Sequence, residues 1–211
     1  MKKEHSSRWR KLDNAAQAFP AATGKKDTRV FRFYCQLKED IQADLLQKAL
    51  EQTMEHYPVF SMVLRKGLFW FYLEQRDLPA KVEEEKRPPC SEIYVPDHKT
   101  LLFQVSYYKT RINFEVFHAL TDGTGAMLFL KELVSNYLIL RHPEETFQGQ
   151  RRYADGNGFR GGQLSQYYTG KKNEKEKSRP AYQIKGEYLE QEEMEITEIL
   201  LPRKQFISAQ K

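Results

Sequence analysis

An imidazole, a carboxylate and a glycine stand close together in His118-Ala119-Leu120-Thr121-Asp122-Gly123. With an ordinary pKa near neutrality, an imidazole can take a proton from an attacking hydroxyl or amine and return one to a leaving group. A carboxylate at Asp122 can accept backbone N–H bonds where a helix starts, and a glycine beside it permits a tight turn. Read singly, His118 also fits a satisfied histidine at a strand end, and Asp122 a plain helix N-cap. Both readings stand open on these residues alone.

The flanking pattern places the hexapeptide between two elements. Upstream, residues 111–117 (RINFEVF) alternate polar and apolar side chains, as a strand with one buried face does. Downstream, Met127, Leu130, Leu133, Val134, Tyr137 and Leu138 recur at the three- and four-residue spacing of a helix face. His118 therefore ends a strand and Asp122 opens a helix. Earlier, Val30, Phe31, Phe33, Cys35 and Leu37 mark a strand over 28–38, and Asp40 is placed to cap a helix carrying Ile41, Leu45, Leu46, Ala49, Leu50, Thr53, Met54 and Tyr57. Pro58 stops it. Residues 61–65 and 68–75 read as a hairpin around the two-residue turn Lys66-Gly67, and 101–108 pairs with 111–117 through Lys109-Thr110. The charged, proline-bearing stretch 83–89 reads as a surface connection.

Strand, histidine, three spacers, Asp-Gly and helix together resemble the HxxxDG motif of the acyltransferase superfamily. That superfamily holds chloramphenicol acetyltransferase, the condensation domains of peptide synthetases and the bacterial alcohol acetyltransferases. The opening Arg10-Lys11-Leu12-Asp13-Asn14-Ala15-Ala16 and the order of elements are most similar to the first half of an alcohol acetyltransferase-like protein, over residues 8–145. The resemblance implies an α/β (α+β) two-layer sandwich, with a mixed sheet and two main helices on one face. It implies acyl transfer from acetyl-CoA or another acyl thioester to a small-molecule alcohol or amine, without a metal. His118 would be the general base. Asp122 would be a structural organiser, salt-bridged to an arginine for which Arg8, Arg10 and Arg29 are candidates. Gly123 would turn the chain beside a substrate channel where a Cβ would intrude.

The pattern departs from that superfamily in two places. Phe117 stands where many members have a first histidine, a position that is not the base. The Asp-Phe-Gly-type segment of the second half does not occur, and the implied partner is a missing C-terminal half or a second copy of the chain. The resemblance also admits two alternatives: a condensation-type domain using carrier-bound thioesters, and a non-catalytic binding or assembly module.

The expected organisation is a half-domain over 1–150, a Gly/Lys-rich linker over 151–181, and over 182–211 a β-hairpin leading into the start of a helix. Gly156-Asn157-Gly158-Phe159-Arg160-Gly161 has the letters of a dinucleotide fingerprint, but no strand precedes it and no apolar helix follows, so it reads as loop. Neither a P-loop nor a GxSxG elbow occurs.

With 211 residues, 40% of them hydrophobic, the chain is long enough for a sizeable core. The formal charge of +5 is spread along it, and the basic run over 171–179 alternates with acid, which argues for solubility and against nucleic-acid binding. Cys35 and Cys90 form neither a disulfide framework nor a metal knuckle, which fits a reducing cytoplasm. No segment approaches the ~20 apolar residues of a membrane span, and no signal peptide is evident at the N-terminus. His5, His56, His98 and His142 are scattered without metal-ligand spacing. The aromatic run Phe69-Trp70-Phe71-Tyr72 could line an acyl channel, although aromatics in strands more commonly pack as core or sheet surface.

Overall fold

Strand β7 (Arg111–Phe117) is buried from Ile112 to Phe117, and it is the strand on which the larger sheet is built. In the computed structural model, which describes residues 9–145 apart from 15, 25, 26 and 97, β7 lies between β2 (Val30–Gln36) and β6 (Phe103–Tyr108). Both neighbours are antiparallel to it, with Val30 opposite Phe117 on one side and Tyr108 opposite Arg111 on the other. A short strand β5 (Val82–Glu84) runs parallel to β6 and makes the sheet mixed, in the order β2-β7-β6-β5. A second sheet of three strands, β1-β4-β3, consists of β1 (Trp9–Lys11), β4 (Phe71–Gln75) and β3 (Met62–Lys66). The expected linker, the terminal hairpin, the glycine-rich 156–161 and the 171–179 run all lie outside the described residues, as do His5 and Arg8.

Two long helices cover one face of the larger sheet, which makes the expected two-layer α/β sandwich. Helix α2 (Ala43–His56) turns Leu46, Ala49, Leu50 and Thr53 inward, and α3 (Gly123–Arg141) turns Ala126, Phe129, Leu130, Leu133 and Tyr137 inward. The layer between is aromatic. Phe114 stacks on Phe129 with ring centres 4.7 Å apart, and Phe60, from a 3₁₀ turn at Pro58–Ser61, reaches Phe129 at 4.2 Å and Phe103 at 5.5 Å. Offset and edge-on ring pairs of this kind add to the area that they bury.

Three local expectations need correcting. Helix α2 begins at Ala43 with Gln42 as its N-cap, because the Ile41 N–H donates to the Lys109 carbonyl at 2.8 Å and holds the preceding chain extended, leaving Asp40 outside. The β3–β4 connection spans 67–70 rather than Lys66-Gly67: Lys66 pairs with Phe71, and the Gly67 N–H donates to the Trp70 carbonyl at 2.8 Å. Leu68, Phe69 and Trp70 read as strand because they are apolar, yet they form the hairpin tip. The stretch expected as a surface connection is exposed at Glu83, Glu84, Lys86, Arg87 and Pro88, but it is not all connection, since Glu83 and Glu84 belong to β5 and Glu85 is half-buried against arginines.

On the sheet face away from the helices, Arg32 and Glu115 stand directly opposite one another on β2 and β7. The Arg32 Nε lies 3.0 Å from Glu115 Oε1 and its Nη1 lies 2.5 Å from Glu85 Oε1, while Arg111 Nη2 reaches Glu85 Oε2 at 2.8 Å. Glu115 also accepts the Cys90 backbone N–H at 2.5 Å. The two carboxylates thus share one guanidinium, and the chain between Glu85 and Tyr94 is drawn across this face, where Tyr94 stacks on Phe117 at 5.0 Å.

Candidate active site

His118 follows directly on β7, and its position is set by the strand beside it. Its backbone N–H donates to the Arg29 carbonyl at 2.9 Å, just before β2 begins, with Arg29 itself in the left-handed region at φ 54°. The imidazole stacks on Phe19 of the short helix α1 (Ala18–Ala22), with ring centres 4.4 Å apart and planes 13° from parallel. Phe31 of β2 closes a second side at 5.0 Å, and Phe33 packs edge-on against Phe31. The ring is half-buried, and among the described residues neither of its nitrogens is hydrogen-bonded. An imidazole clasped by carbon and unbonded through nitrogen keeps both nitrogens for another molecule.

Ala119, Leu120 and Thr121 are buried, and the Leu120 N–H donates to the Phe117 carbonyl at 2.9 Å, so the turn after His118 is pinned. Asp122 is the N-cap of α3: its carboxylate accepts the Gly125 N–H at 2.9 Å, and its carbonyl accepts the Ala126 N–H at 3.0 Å. The simple reading of Asp122 as a helix cap is thus present in the structure. Among the described residues no ion pair joins Asp122 to Arg29, whose guanidinium meets Asp27 at 3.2 Å; Arg10 lies in β1, opposite Leu73. Replacing Asp122 with Ala should cost about 1 kcal/mol, the usual loss for a side-chain N-cap, readable as a lower midpoint in urea.

Gly123 is the first residue of α3. A Cβ built there would meet only the Phe33 ring, at 3.8 Å, which is ordinary van der Waals contact. No crowding among the described residues explains the glycine, so the reason expected for it rests with a substrate in the channel rather than with the protein's own atoms. Gly123→Ala should fold with stability changed by less than about 1 kcal/mol, in keeping with the helix propensities of the two residues. Any large effect of that substitution on turnover would then report a substrate passing over this Cα.

The sequence singles out His118, Asp122 and Gly123 but not the two rings that hold the imidazole. Phe31 was legible as an apolar strand residue only, and Phe19 carried no signal, since its helix has a single turn and lies far from the motif in sequence. The aromatic run at the β3–β4 hairpin does not contribute to this slot. Cavities of about 360 Å³ and about 490 Å³ are lined by other residues, the first by Arg32, Glu85, Arg87, Gln104 and Glu115. Among the described residues no group of His, Cys, Asp and Glu could hold a metal, and no helix is long and apolar enough to cross a membrane.

Neither a family model nor a curated protein sequence matches the chain. Solved structures do. The starter condensation domain of rhizomide synthetase superimposes with a TM-score of 0.54 at 12% identity, over 68% of this chain and 40% of that one. The epimerization domain from the third module of tyrocidine synthetase B gives a TM-score of 0.51 at 13% identity, over 69% of this chain and 37% of that one. A variant of the rhizomide domain in complex with C8-CoA gives 0.50 at 15% identity, over 64% and 36%. The chain spans about two fifths of the length of the structures that it matches. What it shares with them is the fold, that of condensation domains and their chloramphenicol acetyltransferase-like relatives.

Proposed function

We propose that this chain is the base-bearing half of an acyltransferase that moves an acyl group from a thioester, acetyl-CoA foremost, to an alcohol or amine. The observation that carries the proposal is the setting of His118: a strand-end imidazole clasped by Phe19 and Phe31, with both ring nitrogens unbonded among the described residues. In the step proposed, one ring nitrogen takes the proton of the acceptor O–H or N–H as the acceptor's oxygen or nitrogen attacks the thioester carbonyl carbon. Collapse of the tetrahedral intermediate breaks the C–S bond, and the imidazolium returns the proton to the departing thiolate. No covalent bond to the enzyme forms.

Asp122 acts on this chemistry by fixing the start of α3, and hence the turn on which His118 is mounted. The facing wall of the site would come from a C-terminal half or a second copy. A C8-CoA complex exists for the rhizomide starter condensation domain, which shares the fold, and it supports an acyl-CoA donor. The free thiols of Cys35 and Cys90 support a cytoplasmic setting.

A carrier-bound donor is the second reading, since the same fold serves the condensation domains of peptide synthetases. The two separate in one assay. Full-length protein is given acetyl-CoA, or the same acyl group on a pantetheinyl carrier protein, with panels of alcohols and amines, while thiol release is followed. Release from CoA supports the first reading, release from the carrier alone supports the second, and release from neither leaves a non-catalytic module of the same fold.

A further inference from the structure

The tip of the β3–β4 hairpin carries adjacent large apolar side chains in water: Leu68 is 95% exposed, Phe69 86% and Trp70 50%. A run of this kind has no part in the core and works against solubility, so it calls for an occupant. The strand register describes what surrounds it. Lys66 opposes Phe71 in the row nearest the tip; Arg65, Tyr72 and Lys11 share the next; Leu64, Leu73 and Arg10 share the third. These rows hold Lys66, Arg65, Lys11 and Arg10 and no acidic residue. Glu74 stands in the row behind, beside Trp9, where its carboxylate meets Arg65 at 3.6 Å and Arg76 at 2.9 Å, so the cations offered to lipid are chiefly Lys66 and Lys11. Lys11 and Lys66 are exposed, and the Lys11 ammonium lies 5.8 Å from the centre of the Trp70 ring.

We propose that this hairpin tip inserts into the surface of an anionic lipid bilayer. Leucine and phenylalanine enter the acyl boundary, tryptophan sits at the headgroup level, and lysines just behind meet lipid phosphates. The shape of the tip favours a bilayer over a protein partner. Specific protein interfaces bury about 800 Å² on each side, more than a convex hairpin end presents, whereas a wedge between lipids needs no flat complement. This inference stands on its own observations and does not depend on acyl transfer.

The chain contains two tryptophans, so a Trp9→Phe variant leaves Trp70 as the sole reporter. Mixed with vesicles of phosphatidylcholine containing about three-tenths phosphatidylserine, a composition chosen for its negative surface potential, its emission should shift to the blue and be quenched by lipids brominated in the acyl chain. Vesicles of phosphatidylcholine alone should bind far more weakly. Lys11→Ala and Lys66→Ala should each lower partitioning about fivefold, and added salt should do the same. Leu68→Ser with Phe69→Ser, on a loop outside the core, should abolish the shift while leaving the circular dichroism spectrum unchanged. Several outcomes overturn the proposal: no shift with either vesicle, equal shifts with both, or serine variants that bind as well as the parent. So does light scattering in which the parent is a dimer and the serine variant a monomer, since the tip then joins copies of the chain.

Discussion

His118→Ala is expected to lower the rate of thiol release by about 10²- to 10⁴-fold while leaving the fold intact. The magnitude is that of a lost general base, since alanine can neither take the acceptor's proton nor return it to the thiolate. Stability should change little, because the ring is only half-buried and no hydrogen bond to the described residues is lost. What the substitution opens is a gap beside Phe19. A KM for the thioester close to that of the parent, with kcat reduced, is the signature of a group acting on the transition state. A variant as active as the parent would remove His118 from the chemistry. Phe19→Ala provides a graded companion, expected to reduce kcat less than His118→Ala because the base survives and only its orientation loosens.

Breaking the charge network beneath the opposite sheet face should have the largest effect on stability. Arg32→Met leaves Glu115, whose side chain is 6% exposed, with only the Cys90 N–H against its charge. Removing one partner of a buried ion pair costs about 3–5 kcal/mol, so the urea midpoint should fall steeply. The double substitution Arg32→Met with Glu115→Gln should recover much of the loss, because a neutral amide keeps its acceptor for Cys90 and strands no charge. A double variant as unstable as Arg32→Met would put the loss down to packing of the arginine stem.

The same network predicts the response to acid. Burial alone would raise the Glu85 pKa, but hydrogen bonds and charge from Arg32 and Arg111 outweigh it and hold the carboxyl below its ordinary value. A carboxylate whose folded pKa is depressed stabilises the fold fully above its unfolded pKa, and this contribution is lost as pH falls through the folded value. Stability measured against pH should therefore decline below the ordinary carboxylate pKa of about 4.3, and Glu85→Gln should flatten that decline.

Much of this fold was legible because the strands and helices announce themselves by period. The alternation in 111–117 and the spacing of Leu130, Leu133 and Tyr137 need no tertiary information to read. Boundaries failed where a non-local contact fixed them, as the Lys109 carbonyl does for the start of α2. Apolar character misled where it marks exposure rather than burial, as at Leu68 and Phe69. Glu85 was hidden by the reverse case, a charged residue in a charged run that is drawn partly out of water because arginines from β2 and β7 meet it. At the candidate site the motif residues were plain from their spacing, and the aromatic clasp was not. Phe31 comes to His118 only through the pairing of β2 with β7, and Phe19 only through the packing of α1 against the ring.

That pairing also has a consequence in time. Arg32 and Glu115 are 83 residues apart along the chain, and the same strand pair delivers Phe31 and the Arg29 carbonyl to His118. Contacts this distant in sequence are slow to form. During synthesis the imidazole emerges long after β2 has left the ribosome, and its clasp can close only once β2 finds β7. Competence of the site should therefore appear as a late event in refolding, after the β6–β7 hairpin, whose strands are joined by a tight turn.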